Sequence, residues 1–101
     1  MFAVHPGDDG VFYLSGDLDI VAAQHFETSV QSCLDGQGEV VLDVQNLAFV
    51  DSTGLRAIVR LAKQVHPRMV VLRAPRPRVA RVLDIVRIET LGIRVDGNTP
   101  D

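Results

Sequence analysis

The sequence predicts a small α/β domain whose sheet is largely parallel and begins with an antiparallel hairpin. Short β-prone segments alternate with amphipathic helical segments of about 10–14 residues, the pattern of crossover connections between parallel strands. A cluster of turn-forming residues at positions 6–10 separates the first two β-prone segments, which is typical of a hairpin. The length of 101 residues fits a single domain spanning residues 1–101.

The hairpin strands are predicted at Phe2–His5 and Val11–Leu14, and the first helix follows them. Apolar residues then recur at steps of three and four, which is the period of an amphipathic helix. We expect Gly36 and Gly38 to end this helix, and Cys33, on its apolar stripe, to be a buried and unreactive thiol. The apolar positions are Ala22, Ala23, Phe26, Val30, Cys33 and Leu34.

The middle of the chain contains one strand and the clearest helix. The apolar run Val40–Val44 has the length of a strand that is covered on both faces. A second periodic segment follows from Leu55 to Val65, and His66-Pro67 ends it. Its apolar positions are Leu55, Ile58, Val59, Ala62 and Val65.

The last third predicts a strand, a helix and an edge strand. Met69–Leu72 is a second buried strand. Pro77 stands at a position where a helix can begin without losing a hydrogen bond, because the first N–H groups of a helix have no partner within it. Ile93–Val95 is expected to be an edge strand. The third helix should direct Val79, Val82, Leu83 and Val86 inward.

Composition argues for a globular protein and against a membrane span. Hydrophobic residues are 47% of the chain and charged residues 23%, and no apolar run approaches the roughly 18–20 residues that a spanning helix needs. The N-terminus shows no basic segment followed by an apolar one, and Cys33 has no second cysteine to pair with. We therefore expect a cytoplasmic protein, and a monomer because the chain is small with a single apolar core.

The common signatures of catalytic, metal and nucleic-acid sites are missing from the sequence. It contains no phosphate-binding glycine loop and no nucleophile elbow, and its three histidines do not have the spacing of metal ligands. The five aromatic residues are not interleaved with basic ones, as a platform for stacking bases would require. We expect no metal, no cofactor and no direct contact with nucleic acid.

Charge is distributed unevenly along the chain. Residues 1–55 contain nine acidic residues and no Lys or Arg, whereas residues 56–101 contain ten basic and four acidic ones. If the two halves present different faces, the acidic face favours a basic protein partner. If they interleave in space, the charges cancel.

The segment Phe49–Leu55 directly precedes the clearest helix. Asp51, Ser52 and Thr53 are all residues that cap helices, so capping by itself would explain one of them. Gly54 in the first turn costs roughly 1 kcal/mol relative to Ala, which suggests that another group approaches the backbone there. A phosphate on Ser52 would lie at the favourable end of the helix dipole and beside the repelling carboxylate of Asp51.

The chain resembles a STAS domain of the anti-sigma factor antagonist family. The resemblance lies in Leu14–Asp19, Val40–Val44, Val50–Leu55 and Val79–Val86, in the same order and at matching spacings. It implies a mostly parallel sheet of four or five strands, with the helices mainly on one side and no enzymatic activity.

The resemblance also implies a partner-switching mechanism. The unphosphorylated antagonist binds an anti-sigma factor that is a GHKL-type Ser/Thr kinase, and a sigma factor is released. The kinase phosphorylates the serine that matches Ser52, and a PP2C-type phosphatase reverses the modification. In this comparison Ser52 is the phosphorylation site, and Thr53 is a second candidate acceptor. The matching docking residues are Asp17, Asp19, Asp51, Ser52, Thr53 and Gly54.

Two other functions remain open at this point. The chain could be a STAS accessory subunit of a transporter or signalling complex in which Ser52 is never phosphorylated. It could also be a weak nucleotide-binding domain that holds a phosphate at the N-terminus of the Ser52 helix, although no Lys stands beside that terminus.

Overall fold

The computed structural model describes residues 1–34 and 37–97, and in them five strands form one sheet in chain order. The first two strands are antiparallel, and every later neighbour is parallel. This confirms the predicted hairpin and the largely parallel sheet. The strands are β1 (Ala3–Pro6), β2 (Phe12–Leu18), β3 (Val40–Val50), β4 (Val70–Arg73) and β5 (Ile93–Asp96).

Three helices connect the parallel strands: α1 (Ala23–Cys33), α2 (Ser52–Val65) and α3 (Pro77–Ile85). Each crossover moves one strand further in the same direction, and right-handed crossovers of this kind place all their helices on one face of the sheet. Phe26, Ile58 and Leu83, one from each helix, share a single buried cluster with Leu42 and Leu72 of the sheet. The expected placement of the helices on one side is confirmed.

On the opposite face of the sheet, the polar side chains of Tyr13, Asp43 and Arg73 contact each other. Asp43 is 8% exposed, and its Oδ2 accepts hydrogen bonds from the Nε and Nη2 atoms of Arg73 at 3.0 and 2.9 Å. These bonds raise the pKa of Arg73. The Arg73 guanidinium also lies over the Tyr13 ring, 5.8 Å from its centroid. The charges of Asp43 and Arg73 therefore balance each other within the chain.

β2 and β3 are longer than the sequence predicted, and this changes the environment of Gly16–Asp19. β3 continues to Val50 rather than ending at Val44, and β2 continues to Leu18, so that Gly16–Leu18 is strand and not loop. The pairing of β2 with β3 continues past two register shifts, one between Tyr13 and Ser15 and one between Gly16 and Asp17. Gly16 has a φ of +83°, which suits glycine at such a bulge.

Two residues predicted to face the core do not. Cys33 is exposed because it is the last residue of α1, where the helix ends before that part of its stripe is covered. Val86 is 42% exposed because α3 ends one residue earlier, at Ile85. α1 ends before Gly38, and the predicted role of Gly36 lies outside the described residues.

Helix α2 lies against the end of β2 at Gly54. A Cβ atom at this position would lie 2.2 Å from the Leu18 carbonyl oxygen, 2.9 Å from Leu18 Cγ and 3.0 Å from Val50 Cγ2. The group that approaches Gly54 thus belongs to the same chain. The glycine permits α2 to begin directly over the paired ends of β2 and β3.

We predict that Gly54→Ala lowers the free energy of unfolding by about 2 kcal/mol, because the added methyl group overlaps the Leu18 backbone. This is opposite in sign to the usual gain of about 1 kcal/mol when Ala replaces Gly within a helix. Urea denaturation measures the difference. Gly38→Ala is the control, because a Cβ there meets nothing within 4 Å and adds only the strain of a positive φ. A Gly54→Ala protein as stable as the unmodified chain would contradict the prediction.

Candidate functional site

The carboxyl ends of β2 and β3 bring the two acidic segments of the sequence together. Leu18 and Val50 are register partners, and the Asp51 N–H donates to the Leu18 carbonyl oxygen at 3.2 Å. The residues that follow the two strands are therefore neighbours at one edge of the sheet, where the sites of open α/β sheets form. We call this surface the Ser52 edge, and its residues are Asp17, Asp19, Ile20, Val21, Phe49, Asp51, Ser52 and Thr53.

The Asp51 carboxylate joins the two sides of this edge. Its Oδ1 caps α2 by accepting the Gly54 N–H at 2.9 Å, and its Oδ2 accepts the Ile20 N–H at 3.2 Å. One side chain thereby fixes both the start of α2 and the turn that leads into α1. Asp51 is only half-buried, so the carboxylate also contributes negative charge to the surface.

Asp19 and Asp17 have different surroundings. Asp19 Oδ1 accepts the N–H groups of Val21 and Ala22 at 3.1 and 3.0 Å, and so holds the turn before α1. Asp17 is exposed, and its carboxylate has no hydrogen bond or ion pair within residues 1–34 and 37–97. Of the three predicted docking carboxylates, only that of Asp17 makes no bond to another described residue.

Ser52 is exposed as the first residue of α2, and its hydroxyl has no hydrogen-bond partner among the described residues. Thr53 beside it is half-buried. Capping therefore accounts for Asp51 but not for Ser52. Gly54 is buried against Leu18 at the end of β2, and its predicted contact with a partner stays a prediction.

Sequence reasoning missed three exposed apolar residues of the Ser52 edge. Ile20 is 71% exposed, Val21 84% and Phe49 43%. The signal for the first two was an aliphatic pair in the turn between Asp19 and the helix, where no core faces it. Phe49 precedes the buried Val50, so strand alternation directs it to the opposite face of the sheet.

The acidic and basic halves of the chain interleave over part of the surface, where Arg60 pairs with Glu27, Arg73 with Asp43, and Arg94 with Glu39. Within the described ranges, no such ion pair reaches Asp17, Asp19 or Asp51. The Ser52 edge therefore keeps its negative charge.

Other classes of site receive no support in the part of the chain that the structure describes. No group of three or more His, Cys, Asp or Glu side chains there could hold a metal ion. The helices within the same residues are too short and too polar to cross a bilayer.

We predict that Asp51→Ala lowers the free energy of unfolding by about 1–2 kcal/mol, since it removes the cap of α2 and the bond to Ile20. Asp51→Asn separates the two roles. Its amide oxygen can still cap α2, but only one oxygen remains, so the Ile20 N–H loses its acceptor. Amide hydrogen exchange should become faster at Ile20 and stay slow at Gly54. Unchanged exchange at Ile20 in Asp51→Asn would show that the bridge does not form.

Comparison with known proteins agrees with this architecture. The family model of the STAS domain matches residues 2–95. The crystal structure of a proposed anti-sigma factor antagonist from Thermotoga maritima, TM1081, is 24% identical with a TM-score of 0.76, over 97% of this chain and 87% of that one. An NMR structure of TM1081 gives a TM-score of 0.73 at 24% identity, over 97% and 82% of the two chains.

A further similar structure is the unphosphorylated form of the anti-sigma factor antagonist SpoIIAA, with 15% identity and a TM-score of 0.62. The match covers 94% of this chain and 86% of that one. At these identities the three structures establish the shared fold. Because the family model spans nearly the whole length, this chain belongs to the STAS domain family.

Proposed function

We propose that the protein is an anti-sigma factor antagonist, a binding module with no catalytic activity of its own. In the unphosphorylated state it binds an anti-sigma factor that is a GHKL-type Ser/Thr kinase, and a sigma factor is released. Phosphorylation of Ser52 ends the binding, and a PP2C-type phosphatase restores it. The observation that carries the proposal is the exposed hydroxyl of Ser52, which has no hydrogen-bond partner among the described residues and belongs to the acidic and apolar Ser52 edge.

The position of Ser52 suits a kinase acceptor. The side chain is exposed, it lies at the start of a helix, and the fold uses Asp51 instead of Ser52 as the cap. Modification of the hydroxyl therefore breaks no hydrogen bond that the described structure contains. Thr53 is half-buried and is the poorer acceptor of the two.

The composition of the Ser52 edge suits a protein partner with basic residues. Ile20, Val21 and Phe49 offer large apolar side chains that a partner can bury, and Asp17 offers a carboxylate that has no partner among the described residues. Asp17 is the register partner of Phe49, so charge and apolar surface lie side by side. An apolar centre with polar groups around it is the usual arrangement of a specific interface.

A phosphate on Ser52 would change this edge mainly by charge. It adds roughly −1.5 to −2 charges at neutral pH. Asp51 already accepts the Gly54 N–H, so one of the free amide groups of the first turn is taken and a second anion stands nearby. Repulsion and the cost of removing water from the phosphate would both oppose binding of the partner.

The same geometry argues against the nucleotide-binding alternative. A phosphate cradle is built from free backbone N–H groups, but the Asp51 carboxylate already accepts the Gly54 N–H at the start of α2 and would repel a bound phosphate. The accessory-subunit alternative differs only in its partner and in the absence of phosphorylation. We place the protein in the cytoplasm as a monomer without direct contact to nucleic acid.

We predict that candidate anti-sigma kinases of the same organism transfer one phosphate to Ser52 in the presence of ATP. Intact-mass and tandem mass spectrometry would detect and locate it. Ser52→Ala should receive no phosphate, and Thr53→Ala should be phosphorylated at close to the unmodified rate because Ser52 remains. Stable binding of a candidate kinase without any phosphate transfer would favour the accessory-subunit function.

We further predict that Ser52→Asp abolishes binding to the kinase, while the free energy of unfolding stays within about 1 kcal/mol of the unmodified value. The added carboxylate is exposed and displaces no hydrogen bond of the fold. Thr28→Asp, which adds the same charge at an exposed position of α1, is the control and should bind normally. Calorimetry measures both quantities. Loss of stability together with binding would show that Ser52 has a structural role.

A further inference from the structure

A groove of about 490 Å³ begins at Ser52 and runs along the outer side of α2. Leu55 and Val59 of α2 line one wall, and they are only partly buried by the core. Val86 and Leu91, which are 42% and 45% exposed, line the other wall on the chain that follows α3. The fold thus leaves an apolar groove open between α2 and the segment that follows α3.

The charges around this groove have one sign. Arg56, Arg60 and Lys63 are among its lining residues, and no carboxylate is. Arg60 is engaged by Glu27 of α1. Arg56 and Lys63 form no ion pair in the ranges that the structure describes, and they lie two helical turns apart, roughly 10 Å along α2. The groove therefore offers two cations whose charges the fold does not balance.

We propose that the groove binds an acidic amphipathic helix of the partner, with its apolar face between α2 and Leu91 and its carboxylates on Arg56 and Lys63. A groove that follows α2 from Ser52 to Lys63 is about 16 Å long, which matches three turns of a bound helix. The proposal rests on the proposed function, since it assigns this segment to the protein that binds the Ser52 edge.

The groove also gives the modification of Ser52 a second effect. Arg56 follows Ser52 by four residues, so the two side chains are neighbours on the same face of α2. A phosphate on Ser52 would pair with Arg56 and take it from the partner's carboxylate. Phosphorylation would then weaken both contacts, repelling the partner at the acidic edge and closing one end of the groove.

Two synthetic helical peptides test the occupant directly. They share one leucine face and carry either Glu or Lys on the flanking positions. In a titration of the ¹⁵N-labelled chain, the Glu peptide should bind saturably and shift amide signals of residues 52–63 and 86–91, and the Lys peptide should not. The double variant Arg56→Glu, Lys63→Glu should bind the Glu peptide about tenfold more weakly and reverse the preference toward the Lys peptide.

Matched variants separate the groove from the rest of the surface. Arg78→Glu with Arg81→Glu changes two exposed arginines of α3 outside the groove and should leave the affinity for the Glu peptide unchanged. Leu91→Ser should weaken binding, whereas Ile85→Ser, 72% exposed and outside the lining, should not. Ile85 and Leu91 are both exposed enough for the variants to fold.

The proposal is overturned if neither peptide binds, if both bind equally, or if the Glu peptide shifts signals elsewhere. Preferential binding to vesicles that contain phosphatidylglycerol, lost in the Arg56→Glu, Lys63→Glu variant, would identify a membrane surface as the occupant instead. These outcomes are independent of kinase activity. A phosphorylated Ser52 without peptide binding rejects the groove alone, and peptide binding without any phosphorylation rejects the switch alone.

Discussion

The structure of the Ser52 edge depends on one carboxylate. Asp51 accepts the N–H of Gly54 on α2 and the N–H of Ile20, which lies before α1 and 31 residues from Asp51 in the chain. A single side chain therefore fixes both segments. The arrangement is possible because β2 and β3 end together and because Gly54 has no side chain to keep α2 away from the Leu18 carbonyl oxygen. This arrangement fixes the positions of Ile20, Val21 and Ser52 and leaves them exposed.

The same arrangement gives adjacent residues different parts, a structural one for Asp51 and, in the proposed function, a signalling one for Ser52. Asp51 caps the helix, and Ser52 next to it is left without a bond in the described structure. A serine that can be phosphorylated without losing a contact within the fold is suited to a reversible signal, because the protein stays folded with and without the phosphate. In the proposed mechanism the signal is therefore read by the partner through charge and solvation, and α2 need not unfold or move.

The distribution of charge over the surface also depends on the tertiary structure. Among residues 1–34 and 37–97, three ion pairs join the acidic half of the chain to the basic half, and they neutralise parts of the sheet and of α1 and α2. What remains is an acidic surface at the Ser52 edge and an excess of cations, including Arg56 and Lys63, on the helical side. The two surfaces meet at Ser52, so the proposed phosphorylation of this residue would act on both.

The sequence by itself determined the order and type of the elements. Helical and strand periodicity indicates which residues pack on one face, and Gly and Pro indicate where the elements begin and end. It also singled out Asp51-Ser52-Thr53 as the candidate site. Only the tertiary structure decided which of the three caps the helix, that the group near Gly54 is Leu18, and that Cys33 and Val86 are exposed. The exposed residues Ile20, Val21 and Phe49, and the groove beside α2, could not be predicted either. Periodicity shows which residues can be buried together, whereas exposure depends on where each helix ends and on which distant segment reaches it.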